Sequence, residues 1–101
     1  MKRMIDANDL PDFEVSDYLG DADAIAEYLT IVLEDGDPSL LIAALGDIAR
    51  AKGMSEVSRE SGLAREALYK ALRAGAQPRF DTVMRVLKTL GVRLVAQPLT
   101  A

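Results

Sequence analysis

The amino-acid sequence predicts one all-α domain of five helices, with a short candidate strand near each end. Two observations predict this fold. Apolar residues recur every three or four positions, as they do on the buried face of a helix. A glycine follows each such stretch, and glycine readily adopts the conformation in which a chain leaves a helix. These glycines are Gly36, Gly53, Gly62, Gly75 and Gly91.

The start of the chain differs from the rest. Residues 1–12 are polar and acidic, and we expect a mobile arm there. Residues 13–101 are long enough for a single small domain. That domain opens with Phe13, Glu14 and Val15, whose alternating apolar and polar side chains predict a short strand.

Aspartates mark the starts of the first two helices. Asp21 can cap a helix over about residues 22–34. Asp37 can cap a second helix, which has Pro38 at its first position and extends to Lys52. Gly46, inside the second helix, predicts close packing against a neighbouring backbone. The predicted core-facing residues are Ile25, Tyr28, Leu29, Val32 and Leu33 in the first helix, and Leu41, Leu45, Ile48 and Ala49 in the second.

Three shorter helices follow. We expect the third at residues 56–61 with Ser55 as its cap, and the fourth at about residues 64–73. A loop at residues 74–79 leads to a fifth helix capped by Asp81. The residues of this part that are predicted to be buried are Val83, Val86, Leu87, Leu90, Met54, Phe80 and Met84.

The end of the chain predicts a second strand. Residues 92–95 are rich in β-prone side chains. A strand cannot stand alone, because its backbone groups would lack partners. It could pair with residues 13–15 or with its own twin across a dimer, and the pattern leaves both open.

Composition excludes several classes of function. The chain has no cysteine and no histidine, so it cannot form disulfides, thiolate zinc sites or an imidazole base. It has no glycine-rich phosphate loop and no nucleophile elbow, so we expect neither an enzyme nor a cofactor. The longest apolar run, residues 40–45, is far shorter than the ~20 residues of a membrane span. No apolar stretch follows Lys2 and Arg3, and we expect a cytoplasmic protein without a signal peptide.

Charge is divided unevenly between the two halves. Residues 1–49 carry twelve acidic and two basic side chains, whereas residues 50–101 carry four acidic and ten basic ones. The basic half could bind a polyanion, and the acidic half could bind a basic protein. Solvation of two charged surfaces is the alternative interpretation.

Residues 54–73 carry the pattern of two short helices joined by a sharp turn. Gly62 can adopt the positive φ that the turn requires, and Ser58 is small enough for the helices to cross closely. The residues predicted to face the shared core are Val57, Leu63, Leu68 and Ala71. This pattern predicts a helix-turn-helix unit, whose second helix lies in the major groove of DNA. A plain helical hairpin with a solvated outer face is the alternative.

The outward face of the second helix of this unit is basic. Arg65 is expected to read a guanine edge, and Lys70 is expected to contact phosphate. Tyr69 would touch a thymine methyl or a phosphate, or pack into the bundle. Glu66 would accept a hydrogen bond from a cytosine amine, or its negative charge would stabilise the positive N-terminus of its own helix. The full set of predicted DNA contacts is Ser55, Arg65, Glu66, Tyr69, Lys70, Arg73 and Arg79.

Several sequence runs together resemble one protein family. They are RAKGMS at residues 50–55, GLAREALYKAL at 62–72 and PRFDTVMRVLKTLGVRL at 78–94, together with FEVSDYL at 13–19 and LEDGDPSLLIAALGDIAR at 33–50. The chain resembles the addiction-module antidotes, which are antitoxins related to the HigA type. The resemblance implies a helix-turn-helix domain of the Xre and lambda-repressor type. The family's Leu-Ser-Arg-Glu motif falls on residues 63–66, where Ala64 replaces the capping serine.

The resemblance also implies a function and partners. The chain would be the antitoxin of a type II toxin–antitoxin module. It would neutralise a small basic toxin of the RelE/HigB type and repress its own operon by binding operator DNA as a homodimer. The candidates for toxin contact are Phe13, Val15, Asp23 and Glu27. The alternatives are a stand-alone prophage-type repressor and a protein-interaction adaptor that has lost DNA binding.

Overall fold

The computed structural model describes residues 21–99, and this part of the chain is all-α. Its helices are α1 (Ala22–Asp35), α2 (Pro38–Lys52), α3 (Met54–Ser61), α4 (Arg65–Leu72) and α5 (Phe80–Thr89). The five predicted helices are confirmed, and the fold is consistent with a domain of the helix-turn-helix type. The predicted arm at residues 1–12 and the predicted strand at residues 13–15 lie outside the described residues.

The first two helices begin as the sequence predicts. The Asp21 carboxylate accepts a hydrogen bond from the amide of Ala24 at 3.2 Å. The Asp37 carboxylate accepts from the amide of Ser39 at 2.9 Å, and Pro38 is the first residue of α2. Both aspartates therefore satisfy amides that have no acceptor within the helix.

The predicted caps of α3 and α5 are wrong. The N-cap of α3 is Gly53 rather than Ser55, and that of α5 is Arg79 rather than Asp81. Burial of Met54 in the core accompanies the earlier start of α3. Asp81 lies inside the first turn of α5, where its carboxylate is 3.4 Å from Nε of Arg85.

The core is built from apolar side chains of all five helices, and most of the predicted core residues are buried in it. The buried residues are Ile25, Leu29, Ile42, Ala44, Leu45, Ile48, Ala49, Met54, Val57, Leu68, Leu72, Val83, Val86, Leu87 and Leu90. Three predictions of burial are wrong, because Leu33, Phe80 and Met84 are exposed. Phe80 is 68% exposed because it begins α5, ahead of the turns whose buried residues meet the core.

The packing prediction for Gly46 is confirmed. A Cβ atom added to Gly46 would lie 2.8 Å from the carbonyl oxygen of Leu72, closer than real Cβ atoms approach another atom. The middle of α2 therefore rests directly on the end of α4. Leu72 itself is buried, which the sequence analysis had not predicted.

The predicted strand at residues 92–95 is not formed within residues 21–99. The Val92 amide donates to the carbonyl oxygen of Leu87 at 3.2 Å, which closes the end of α5. Val92 and Leu94 then pack against the core. The physical reason is the absence of a neighbouring strand among the described residues, because a strand is defined by its partner.

Candidate nucleic-acid interface

The turn between α3 and α4 is three residues long and has the predicted conformation. Gly62 has a φ of 78°, and its amide donates to the carbonyl oxygen of Ser58 at 3.0 Å. The Ser58 hydroxyl in turn donates to the carbonyl oxygen of Leu63. Ser58 therefore does more than leave space for the helices, since it also fixes the turn. Val57 and Leu68 are fully buried beneath it, as predicted.

The helix after the turn presents a polar face to solvent. Leu68 and Leu72 hold α4 on the core. The exposed predicted DNA contacts on α4 and just beyond it are Arg65, Glu66, Tyr69, Lys70 and Arg73. The structure thus brings five of the seven predicted contacts together on one helix and its end.

Arg65 and Tyr69 form a pair on this face. The guanidinium carbon of Arg65 lies 5.8 Å from the centre of the Tyr69 ring, and Nη2 lies 3.4 Å from the phenol oxygen. Tyr69 is 44% exposed, so it belongs to the surface rather than to the interior of the bundle. A cation–π contact at an exposed site contributes only about 0.5–1 kcal/mol. The pair therefore orients the guanidinium while leaving it free to bind a ligand.

The basic side chains of this face are not neutralised by neighbouring acids. The ion pairs of residues 21–99 are Arg50 with Asp47, Lys52 with Glu60, and Arg85 with Asp81. None of these ion pairs includes Arg65, Lys70, Arg73 or Arg79. Glu66 is the one acid among the predicted contacts, so positive charge is in excess there, and an excess of positive charge attracts a polyanion.

The remaining two predicted contacts lie at helix starts. Ser55 is exposed in the first turn of α3, and Arg79 is exposed as the N-cap of α5. No side chain caps α3, α4 or α5. The first amides of these helices therefore have no side-chain acceptor among the described residues.

A second candidate surface lies on α1. Asp23 and Glu27 are exposed and stand one helical turn apart. Ile31 follows one turn later and is 63% exposed, which the sequence analysis missed. Its spacing of four residues from Glu27 was the signal that could have found it. Phe13 and Val15, the other two predicted toxin contacts, lie outside the described residues.

The described part of the chain also holds a groove, and it has no metal or membrane-spanning site. Among residues 21–99, no group of three or more acidic side chains could hold a metal ion. No helix in the same range is long and apolar enough to cross a membrane. A groove of about 680 Å³ opens between the start of α2, the loop before α5 and the start of α5. Pro38, Leu41 and the exposed Phe80 line it.

A comparison with protein families decides the affiliation of the chain. A model of the family described as "Probable addiction module antidote protein" matches residues 9–98. The chain belongs to this antidote family. The match includes α1 and α4, and therefore both candidate surfaces of the antidote. Membership implies a toxin as partner.

The antidote also has a relative of known sequence. It is 43% identical over 88 residues to an uncharacterized protein of Haemophilus influenzae (strain Rd). The alignment covers 87% of the antidote and 91% of the relative. No solved structure matches the antidote.

Proposed function

We propose that this antidote is the antitoxin of a type II toxin–antitoxin module, neutralises a RelE/HigB-like toxin and represses its own operon. Family membership supports the antitoxin role. The observation that carries the DNA-binding role is the outward face of α4, where Arg65 and Lys70 are exposed and free of ion pairs within the described residues.

The exposed side chains divide into base readers and phosphate contacts. Arg65 extends from the first turn of α4 and suits a bidentate contact with a guanine edge. Phosphate contacts would come from Lys70, Arg73 and Arg79. The uncapped amides beside Ser55 would bind a further phosphate. These contacts would together place α4 in the major groove.

A homodimer would complete the repressor. A two-fold dimer presents two copies of α4 to successive major grooves and reads an inverted repeat. The half-sites would lie ~34–36 Å apart, or a multiple of that distance. Tyr69 would add contact with a thymine methyl or a phosphate. Glu66 lies in the first turn of α4, where its negative charge would mainly interact with the positive end of the helix dipole.

The decisive experiment is a binding titration with the DNA that precedes the antidote's own gene and with a scrambled version of it. Arg65→Ala should cost ~1–3 kcal/mol on the first DNA only, because it removes a base contact. Lys70→Ala should weaken binding to both DNAs equally and lower the salt slope by about one. Lys88→Ala is the matched control, since Lys88 is exposed at the far end of α5.

Two results would contradict the DNA-binding role. Equal losses on both DNAs for Arg65→Ala would make Arg65 a phosphate contact rather than a base reader. Absence of binding by the unmodified antidote at low salt, with and without its toxin, would favour a protein-interaction adaptor.

For the toxin we propose the α1 surface formed by Asp23, Glu27 and Ile31. Two carboxylates outside any ion pair in residues 21–99 complement a basic protein, and Ile31, one turn beyond Glu27, supplies an apolar contact beside the charges. The test is co-purification of the antidote with the product of the adjacent gene. Charge reversal of Asp23 and Glu27 should slow association and weaken its salt dependence, whereas Glu66→Lys on α4 should not.

Failure to capture the adjacent product would favour a stand-alone prophage-type repressor. Unchanged association by the α1 variants at low salt would place the toxin elsewhere on the antidote. Neither of these results would bear on the DNA-binding role, which the DNA titration tests independently.

A further inference from the structure

Two exposed apolar side chains line one surface pocket where α1 ends. Leu33, in the last turn of α1, is 42% exposed, and Val95, in the chain after α5, is 67% exposed. The partly buried Leu94 lines the same pocket. Single exposed apolar side chains are ordinary, whereas exposed apolar side chains that adjoin one another mark a surface that another molecule covers. The pocket is therefore a candidate contact surface.

The same pocket also holds two opposite charges, the side chains of Glu34 and Arg93. Both residues are exposed, and neither belongs to an ion pair within residues 21–99. Glu34 lies in the last turn of α1, where the helix dipole is negative and no basic side chain of that turn compensates it. Each of the two charges is therefore available to a charge of opposite sign on another molecule.

This arrangement is self-complementary. In a two-fold contact, residue i of one copy meets residue j of the other, and j meets i. A two-fold axis beside Leu33 and Val95 would set Glu34 of each copy against Arg93 of the other. A basic toxin would meet the like charge of Arg93 in this pocket, and a polyanion would meet that of Glu34. A second copy of the chain complements both charges.

We propose that this pocket is the dimer interface of the antidote, with Leu33 and Val95 at its centre and two Glu34–Arg93 ion pairs between the protomers. The inference rests on the homodimer of the proposed function and names its interface. The contact is made by side chains, so residues 92–95 keep the conformation that the structure shows. Among the described residues, none of α4 lines the pocket, and the proposed DNA-binding face stays uncovered.

Charge reversal tests the interface in the full chain without DNA. Glu34→Arg and Arg93→Glu each turn both interprotomer ion pairs into like-charge contacts. Each should therefore raise the dissociation constant of the dimer, measured by analytical ultracentrifugation, by at least about tenfold. Glu66→Arg is the matched control, because it makes the same acid-to-base change on the exposed face of α4. It should leave the dissociation constant unchanged.

A mixture of the two single variants identifies the pairing as interprotomer. In a mixed dimer, each of the two contacts again joins one positive and one negative side chain. The mixture should therefore dimerise about as tightly as the unmodified antidote, although each variant alone does not. An ion pair within one chain would be restored by combining both changes in the same chain, but not by mixing. Recovery in the mixture also shows that both variants are folded.

Three results would overturn the interface. A dissociation constant unchanged by both reversals would place the dimer contact elsewhere, while the homodimer itself would stand. Loss of dimerisation without recovery in the mixture would exclude the Glu34–Arg93 pairs. An unmodified antidote that stays monomeric at all concentrations would overturn the homodimer too. If Glu34→Arg then also abolished capture of the adjacent gene's product, the pocket would belong to the toxin.

Discussion

Helices α1 and α2 begin with an aspartate side chain that binds their first amides, whereas α3, α4 and α5 begin without any side-chain cap. A missing cap costs about 0.5–2 kcal/mol of stability for each helix. Each of the first two helices therefore has one starting amide bound by a side chain, whereas the other three helices have none among the described residues. The difference places the weaker helix starts in the part of the fold that we propose to bind DNA.

Charged side chains are also distributed unevenly between the part of the chain with α1 and most of α2 and the part that follows. Residues 21–49 contain seven acidic and no basic side chains, whereas residues 50–99 contain ten basic and four acidic ones. The two regions nevertheless share one core and meet without a gap at Gly46 and Leu72.

The largest expected effect comes from removing the core contact that holds α4. Leu68 has no exposed surface, so Leu68→Ala should lower the free energy of unfolding by ~2–5 kcal/mol in a denaturant titration. Tyr69→Ala, at the next position on the exposed face, should change it by less than ~1 kcal/mol. A loss below ~0.5 kcal/mol for Leu68→Ala would contradict the orientation of α4.

A smaller effect is expected where the two regions touch. Replacing glycine by alanine inside an exposed helix normally stabilises it by ~1 kcal/mol. In Gly46→Ala the new methyl group would meet the backbone oxygen of Leu72, and overpacking costs ~1–3 kcal/mol. We expect a net loss of up to about 2 kcal/mol by thermal or denaturant unfolding. A gain in stability would show that α2 and α4 are further apart.

An N-cap side chain added to α4 should give this helix the kind of stabilising hydrogen bond that begins α1 and α2. Ala64 has the extended backbone of an N-cap, with a ψ of 147°, but lacks a side-chain acceptor. Ala64→Ser should therefore raise the free energy of unfolding by ~0.5–1 kcal/mol. The control is Asp21→Ala, which should lower it by a similar amount. An unchanged value for Ala64→Ser would mean that solvent already satisfies the amides of α4 equally well.

The smallest effect concerns pH. The Ser39 hydroxyl and then the Ser39 amide donate to Asp37 and lower the pKa of its carboxyl group. Because this pKa is lower in the folded state, the cap contributes fully above about pH 4 and its contribution is lost as the pH falls through the folded value. The stability advantage over Asp37→Asn, which can cap but does not titrate, should shrink in that range. An advantage independent of pH would contradict the assignment.

Prediction from sequence succeeded where neighbouring residues determine the outcome. The starts of α1 and α2 depend on Asp21 and Asp37, whose carboxylates bind amides two or three positions away, and on Pro38, whose fixed φ suits the first helical position. Gly62 ends α3 because a single residue must adopt a positive φ. The exposed face of α4 followed from the spacing of Leu68 within its own helix.

The sequence by itself therefore determined the number of helices, two of their caps, the α3–α4 turn and the polar face of α4. All of these arise from interactions within one or two helical turns. Only the tertiary structure decided that Phe80 and Met84 are exposed, that Leu72 is buried and that α3 begins at Met54. It also decided that residues 92–95 form no strand within the described part of the chain. Such outcomes depend on which element lies opposite, and a pattern along one chain does not contain that information.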